Sequence, residues 1–229
     1  VYQSAYANVT QNAITTSSII DLDSGKTISQ ALNVNGNYNF NFDGGVGFKI
    51  KKIDTRFDFG PGIGLSRYAS FINNVKSYSK TFSPRLFTYI SKSKDKKYDL
   101  SVNDELDYTN NATTQNNTKI HYYTNTLSFN GTIYYKKNWS INTDYSYYYR
   151  EKTIQSDQDL KTHIWNARLQ RTFRQDEFTA YFLVRDILNQ NVGINRSFSG
   201  NTYTQQINER LKRYFMIGFT WNFKNKQSQ

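Results

Sequence analysis

The sequence predicts an all-β fold: an antiparallel transmembrane β-barrel of about ten long strands, complete in itself or the C-terminal part of a larger barrel. Three observations predict it. Apolar and polar residues alternate over runs longer than an ordinary soluble strand. The connections alternate between short basic turns and longer polar loops. Tyr and Phe dominate a chain otherwise poor in apolar residues.

Composition sets the bounds. The 229 residues carry a net charge of +11, no Cys, 37% hydrophobic residues and 17% aromatics, with a mean hydropathy of −0.75. Soluble domains hold roughly 45–50% apolar residues. Disorder would explain a lower value, but disordered chains are poor in aromatics. Here 19 Tyr and 16 Phe favour pleated, half-buried strands. No stretch approaches the roughly 18 apolar residues of a membrane-spanning helix. A barrel strand needs only every second residue to be apolar. The missing cysteines exclude a disulfide framework and thiolate metal sites. The chain opens inside a strand-like pattern with no signal peptide, as expected of a mature protein or a fragment treated as one barrel domain over residues 1–229 with no plug domain.

Residues 32–50 give the clearest run. Leu32, Val34, Gly36, Tyr38, Phe40, Phe42, Gly44, Val46, Phe48 and Ile50 share one face, opposed by Asn33, Asn35, Asn37, Asn39, Asn41, Asp43, Gly45, Gly47 and Lys49. Strand side chains point alternately to opposite faces, whereas a helix would scatter these asparagines around its axis. In residues 55–71, Phe57, Phe59, Ile63, Leu65, Ala69 and Phe71 oppose Asp58, Gly60, Gly62, Gly64, Ser66 and Ser70. Pro61 falls on the apolar face and predicts a bulge, because proline cannot donate to a ladder. In 98–108, Tyr98, Leu100, Val102, Leu106 and Tyr108 share a face that Asp104 interrupts, predicting a bulge or a register shift. The pattern recurs in 123–135 (Leu127, Phe129, Ile133), 139–149 (Trp139, Ile141, Tyr145), 163–173 (Trp165, Leu169, Phe173) and the terminal run Phe215, Ile217, Phe219, Trp221 and Phe223. Residues 79–92 and 178–188 alternate weakly and are assigned to strands by spacing.

Short basic turns are expected at 51–54, 93–97, 136–138 and 174–177. Longer polar loops are expected at 17–27, 73–79, 110–118, 151–161 and 190–203. Outer-membrane barrels have this asymmetry, with short periplasmic turns and longer external loops. In hydrocarbon every backbone N–H and C=O needs a partner, which a sheet supplies only by closing on itself. A soluble sandwich would alternate equally well, but with shorter strands whose apolar faces pack together.

The terminal stretch RDILNQNVGINRSFSGNTYTQQINERLKRYFMIGFTWNFK (residues 185–224) resembles the end of a Bacteroidota-type outer-membrane β-barrel family related to TonB-dependent receptors. DILNQN followed by RYFMIGFTWNF carries the likeness. NVNGNYNFNF (33–42), SFIN (70–73), TQNAI (10–14) and IDLDSGK (20–26) resemble it too, so the likeness spans nearly the whole chain. It implies a large barrel, usually of about 22 strands, with an N-terminal plug and a TonB-contacting segment. This sequence matches only the C-terminal strands. The resemblance also implies that Phe215, Ile217, Phe219, Trp221 and Phe223 present a terminal strand to the barrel-assembly machinery.

Chemical motifs are sparse. GGVG (44–47) and GPGIG (60–64) lack the Lys and Ser/Thr of a phosphate loop and suit small lumen-facing residues or bends. DLDSG (21–25) begins like a calcium loop but lacks the later ligands, so a loop-tip turn is expected. His121 and His163 cannot make a zinc site unaided. No nucleophile–base pairing stands out, so no catalytic residue, cofactor or metal is expected and the chain is not read as an enzyme. Asn35, Asn37, Asn39, Asn41, Asp58, Asp99, Glu105, Asp107 and Asp144 are the candidate lumen-facing residues. Lys49, Lys51, Lys52, Lys94, Lys96, Lys97, Lys136, Lys137, Arg171 and Arg174 gather at the short turns. There they suit lipid phosphates better than nucleic acid, which is not an expected partner.

The leading expectation is the barrel wall of a TonB-dependent-receptor-like transporter in the cell outer membrane. Its expected partners are membrane lipid, the barrel-assembly machinery and, in a longer chain, a plug domain and the TonB system. A small passive pore, a structural or adhesive barrel, and a soluble β-rich carbohydrate-binding module are the alternatives.

Overall fold

The computed structural model describes residues 1–223 except 22, 115–116, 137, 157, 175–176 and 200–201. The described elements are all strands: β1 (Tyr2–Thr10), β2 (Ala13–Ile20), β3 (Thr27–Val34), β4 (Asn37–Ile50), β5 (Thr55–Ile72), β6 (Val75–Lys94), β7 (Tyr98–Thr113), β8 (Thr118–Tyr135), β9 (Trp139–Arg150), β10 (Leu160–Phe173), β11 (Phe178–Arg185), β12 (Ile194–Ser199), β13 (Thr202–Ile207) and β14 (Tyr214–Trp221). Ten of them make one antiparallel wall in the order β1-β4-β5-β6-β7-β8-β9-β10-β11-β14. β12 and β13 form a separate hairpin in the last long loop. The wall is open: β1 and β14 are its free edges, and the expected closed barrel is not formed among the described residues. Among the described residues no helix is long and apolar enough to cross a membrane.

The strands outlast the alternation that predicts them. β5 and β6 run 18 and 20 residues and meet at Asn73 and Asn74, both at positive φ (50° and 63°). Two such residues make a type I′ hairpin turn, whose twist suits the flanking strands. The expected loop at 73–79 is therefore mostly strand. Likewise β7 continues to Thr113, leaving a connection of only four residues before β8 at Thr118.

The run at 32–50 is not one strand. It breaks at Asn35 and Gly36, and Gly36 has φ +97°, which an L side chain rarely adopts. Asn12 bends the partner strand at φ 51° and donates its N–H to Asn35 Oδ1 at 2.6 Å. Below this junction β1 pairs with β4, and β4 with β5. Above it the β2–β3 hairpin has turned over, so that β2 lies beside β5, parallel to it, at Ser17–Phe71 and Ser18–Ile72. Two-stranded ribbons twist more than wide sheets, which makes the crossing cheap. Side chains lock it. Arg67 Nε donates to the Gly36 carbonyl at 2.6 Å, Thr15 Oγ1 to the Ala69 carbonyl at 2.9 Å, and the Ala69 N–H to Asn37 Oδ1 at 2.9 Å.

Neither expected bulge is present. Asp43 pairs with Gly62 and Val46 with Phe59, so the register is the same on both sides of Pro61 and the ladder to β4 is interrupted without an extra residue. Asp104 stays in register between Thr88 and Leu127, on the apolar face, where its carboxylate accepts the Asn125 amide at 2.7 Å.

Substituting Gly36 with Ala is expected to loosen the turned-over hairpin alone. Amide exchange should rise across β2 and β3 and stay unchanged in β6–β8. A uniform rise across the wall would contradict the local role of Gly36.

Candidate functional site

Residues paired in an antiparallel ladder lie on the same face, so the registers carry one face across the whole wall. Ala7 pairs with Phe40, Phe40 with Leu65 and Leu65 with Phe82. Leu86 pairs with Leu106, Val102 with Phe129 and Phe129 with Tyr145. Ile141 pairs with Leu169, Leu169 with Phe182 and Phe182 with Ile217. The apolar faces of all ten wall strands therefore coincide on one side.

That side is uncovered. Among the described residues the buried hydrophobics are Val34, Ala69, Ile120 and Leu160, whereas Leu86 is 58% exposed, Phe219 65% and Ile217 86%. Buried wall residues are mostly polar, and most sit on the opposite face (Asp58, Ser77, Ser79, Asn111, Ser140, Arg150 and Asn166), whereas Thr55 and Ala69 are buried on the apolar side. This inverts the usual soluble distribution. Phe215, Ile217, Phe219 and Trp221 line β14 on the apolar side. Phe223 follows the strand end, its ring 4.1 Å from that of Trp221.

The polar face is concave. Tyr2 of β1 reaches Phe87 of β6, ring centroids 6.1 Å apart, across two intervening strands. Flat strands three steps apart would stand about 14 Å from each other. Glycines make this crossing possible. A Cβ at Gly45 would lie 2.6 Å from the Tyr2 hydroxyl, and one at Gly62 would lie 2.4 Å from Arg85 Nε and 2.5 Å from Asp43 Oδ1. Gly62 thus leaves a lane through which Arg85 of β6 bonds Asp43 of β4, with Nε–Oδ1 at 3.0 Å and a second contact from Nη2. GPGIG is such a lane, with no strand bulge.

The candidate polar residues fall as follows. Asn37, Asn39, Asn41, Asp58, Asp99, Glu105, Asp107 and Asp144 all take the concave face. Asn35 does not, because it lies in the junction and binds the Asn12 N–H. Arg56 grips Asp58 with two bonds of 2.7 and 2.9 Å. Asp107 stands directly opposite Arg85. Tyr134 donates to Asp99 at 3.1 Å, and the Asn166 amide to Asp144 at 2.5 Å. Three contacts were not legible from spacing. Arg168 stacks 4.0 Å over Tyr181, whose ring fills the space beside Gly218. Asp186 accepts the Gln190 and Asn191 N–H groups at 3.0 Å each, giving the DILNQN motif its turn. Arg150 stacks 4.2 Å over Tyr122 and donates to the Arg196 carbonyl, and Arg196 binds Ser156 at 2.9 Å, drawing the β12–β13 hairpin over the concave face.

Two motifs resolve into local structure. In DLDSG the Asp21 carboxylate accepts Ser24 Oγ at 2.5 Å and the Asp23 N–H at 3.0 Å, a closed turn. The Ser24 hydroxyl, with the Asp23 and Ser24 N–H groups, holds the Asp21 carboxyl below its ordinary range. His163 Nδ1 meets the Tyr145 hydroxyl at 2.7 Å. No group of three metal-ligating side chains occurs among the described residues.

The basic turns gather at one end of the wall. Arg171 lies 5.1 Å over Trp139 and 4.7 Å over Phe173, Lys136 5.2 Å over Tyr135, and Arg174 5.6 Å over Phe178. Lys137 lies outside the described residues. Comparison with family models, curated proteins and solved structures finds no match.

Replacing Gly62 with Val should separate Arg85 from Asp43 and cost about 1 kcal/mol, as for a partly exposed pair. In reversible folding measurements Arg85→Ala should then add little to Gly62→Val. Full additivity would contradict the lane.

Proposed function

We propose that the chain is the wall of an outer-membrane β-barrel of the transport type, similar to TonB-dependent receptors. The observation that carries this reading is the inverted burial: one continuous apolar face left open, and one concave polar face that holds the buried groups. Water would oppose so large an apolar surface, and hydrocarbon would not.

The height of the face supports the same reading. On β6 the apolar-side residues Phe82, Pro84, Leu86, Thr88 and Ile90 lie between Lys80 and Lys92. A tilted strand needs about 9–11 residues to cross the hydrocarbon. On β8 Tyr123 and Tyr135 bracket Leu127, Phe129 and Ile133, and on β9 Tyr149 and Trp139 bracket Tyr145 and Ile141. Aromatics at both ends and cations beyond them match the interfacial girdles of such barrels.

The two free edges bear on closure. β1 (YQSAYANVT) and β14 (YFMIGFTW) contain no charged residue and no proline. Edge strands that stay exposed are usually guarded by charge, proline or a bulge. We read both as strands that pair: with further strands of a larger barrel, and at β14 with the assembly machinery during insertion. The concave face would line the passage, and a plug and TonB system would act through segments of a longer chain.

Arginine substitutions separate the faces. Phe129 lies midway between Tyr123 and Tyr135 on the apolar face, and Ser128 beside it is on the concave face. Phe129→Arg should weaken folding into liposomes by about 2–4 kcal/mol, and Ser128→Arg by much less. Equal penalties would reject the assignment of faces.

A further inference from the structure

We propose that the apolar side of the wall, at its loop end, holds a binding site for the phosphate of a membrane lipid headgroup, formed by Arg67, Lys80 and Lys119. The site rests on the membrane reading above.

Three cations stand in one cross-strand row. Arg67 of β5 pairs directly with Lys80 of β6, Lys80 with Ala112 of β7, and Ala112 with Lys119 of β8. Lys76 lies on the same face of β6, nearer the turn. Neighbouring strands are about 4.8 Å apart. The first two cations are therefore adjacent, and the third stands about 10 Å beyond Lys80. Like charges placed directly opposite each other destabilise a ladder. The carboxylates of that face nearest the row, Asp104 and Glu151, accept the Asn125 amide and the Tyr123 N–H and form no ion pair with these cations among the described residues. The apolar-side residues at 38–44, 63–71, 76–84, 106–112 and 119–127 include no carboxylate. Neither Lys80 nor Lys119 makes an ion pair among the described residues, and both are exposed. Glu151, which shares a cavity with Lys119 and His121, accepts the Tyr123 N–H at 3.1 Å.

The surroundings select a lipid. Arg67 is fixed by the Gly36 carbonyl and lies 5.0 Å from the Tyr38 ring and 5.1 Å from the Tyr78 ring. Lys76 lies 5.1 Å over Tyr78. Below the row the same face turns apolar at Leu65, Phe82 and Phe40. An occupant thus meets cations and tyrosines at one level and hydrocarbon-like surface immediately beneath. A phosphorylated headgroup with acyl chains has that arrangement, and a free phosphate has only its upper part. The row also lies at the loop end, opposite the basic short turns, so it would engage the other leaflet.

Lipid selectivity measured by electron spin resonance tests this on the full-length protein in phosphatidylcholine bilayers. Spin-labelled phosphatidic acid, a phosphomonoester lipid, should be motionally restricted in preference to spin-labelled phosphatidylcholine. Each cation that engages the phosphate should contribute about a fivefold preference. Lys80→Gln/Lys119→Gln, which leaves the Arg67 contacts intact, should reduce the preference while the restricted phosphatidylcholine fraction stays constant. An unchanged preference in that variant would overturn the site and leave the membrane reading standing. Loss of the preference on adding inorganic phosphate, at constant ionic strength, would mark a free-phosphate site and overturn the lipid assignment. No restricted component for either lipid would overturn the membrane reading and the site with it.

Discussion

Backbone pairing, with almost no packed core beneath it, holds this molecule together. Ten strands share ladders along nearly their whole length, while the buried hydrophobics among the described residues number only four. A single sheet in water has little to gain from folding unless a second layer covers its apolar face. Among the described residues no such layer is present. The inverted burial, the free edges and the girdled apolar band all follow once the medium on that side is hydrocarbon.

Curvature is the second constraint, and it is met locally. The wall bends most visibly where glycines clear β4 and β5, so that Tyr2 reaches Phe87 and Asp43 reaches Arg85. The Arg56–Asp58 pair, elsewhere on the concave face, joins two same-face neighbours of one strand. At the loop end, Arg150 and Arg196 hold the β12–β13 hairpin and the loop after β9 together. The polar face is therefore crosslinked in layers by ion pairs and hydrogen bonds, while the apolar face carries mainly ring stacks and cation–ring contacts.

Much of this was legible in the sequence because alternation marks both strand and face. Phe40, Phe129 and Phe219 took their predicted side because a two-residue period survives as long as the register is unbroken. Strand ends were misjudged for a physical reason. Beyond the apolar band a strand no longer needs alternation, so residues 75–79 read as loop although their ladder to β5 continues. Asn35 kept the pattern in sequence, but the positive φ of Gly36 removed it from the wall. The Asp43–Arg85 pair spans 42 residues and depends on the side chain that Gly62 lacks, which no spacing rule encodes. The row of Arg67, Lys80 and Lys119 likewise exists only once three registers are known.

The chain's three tryptophans, Trp139, Trp165 and Trp221, all stand on the apolar side of the wall. Their fluorescence in reconstituted bilayers therefore tests the central claim most directly. Lipids brominated along the acyl chain should quench the emission strongly, and aqueous iodide should quench it weakly. Strong quenching by iodide with none from the brominated lipid would place that face in water and contradict the account.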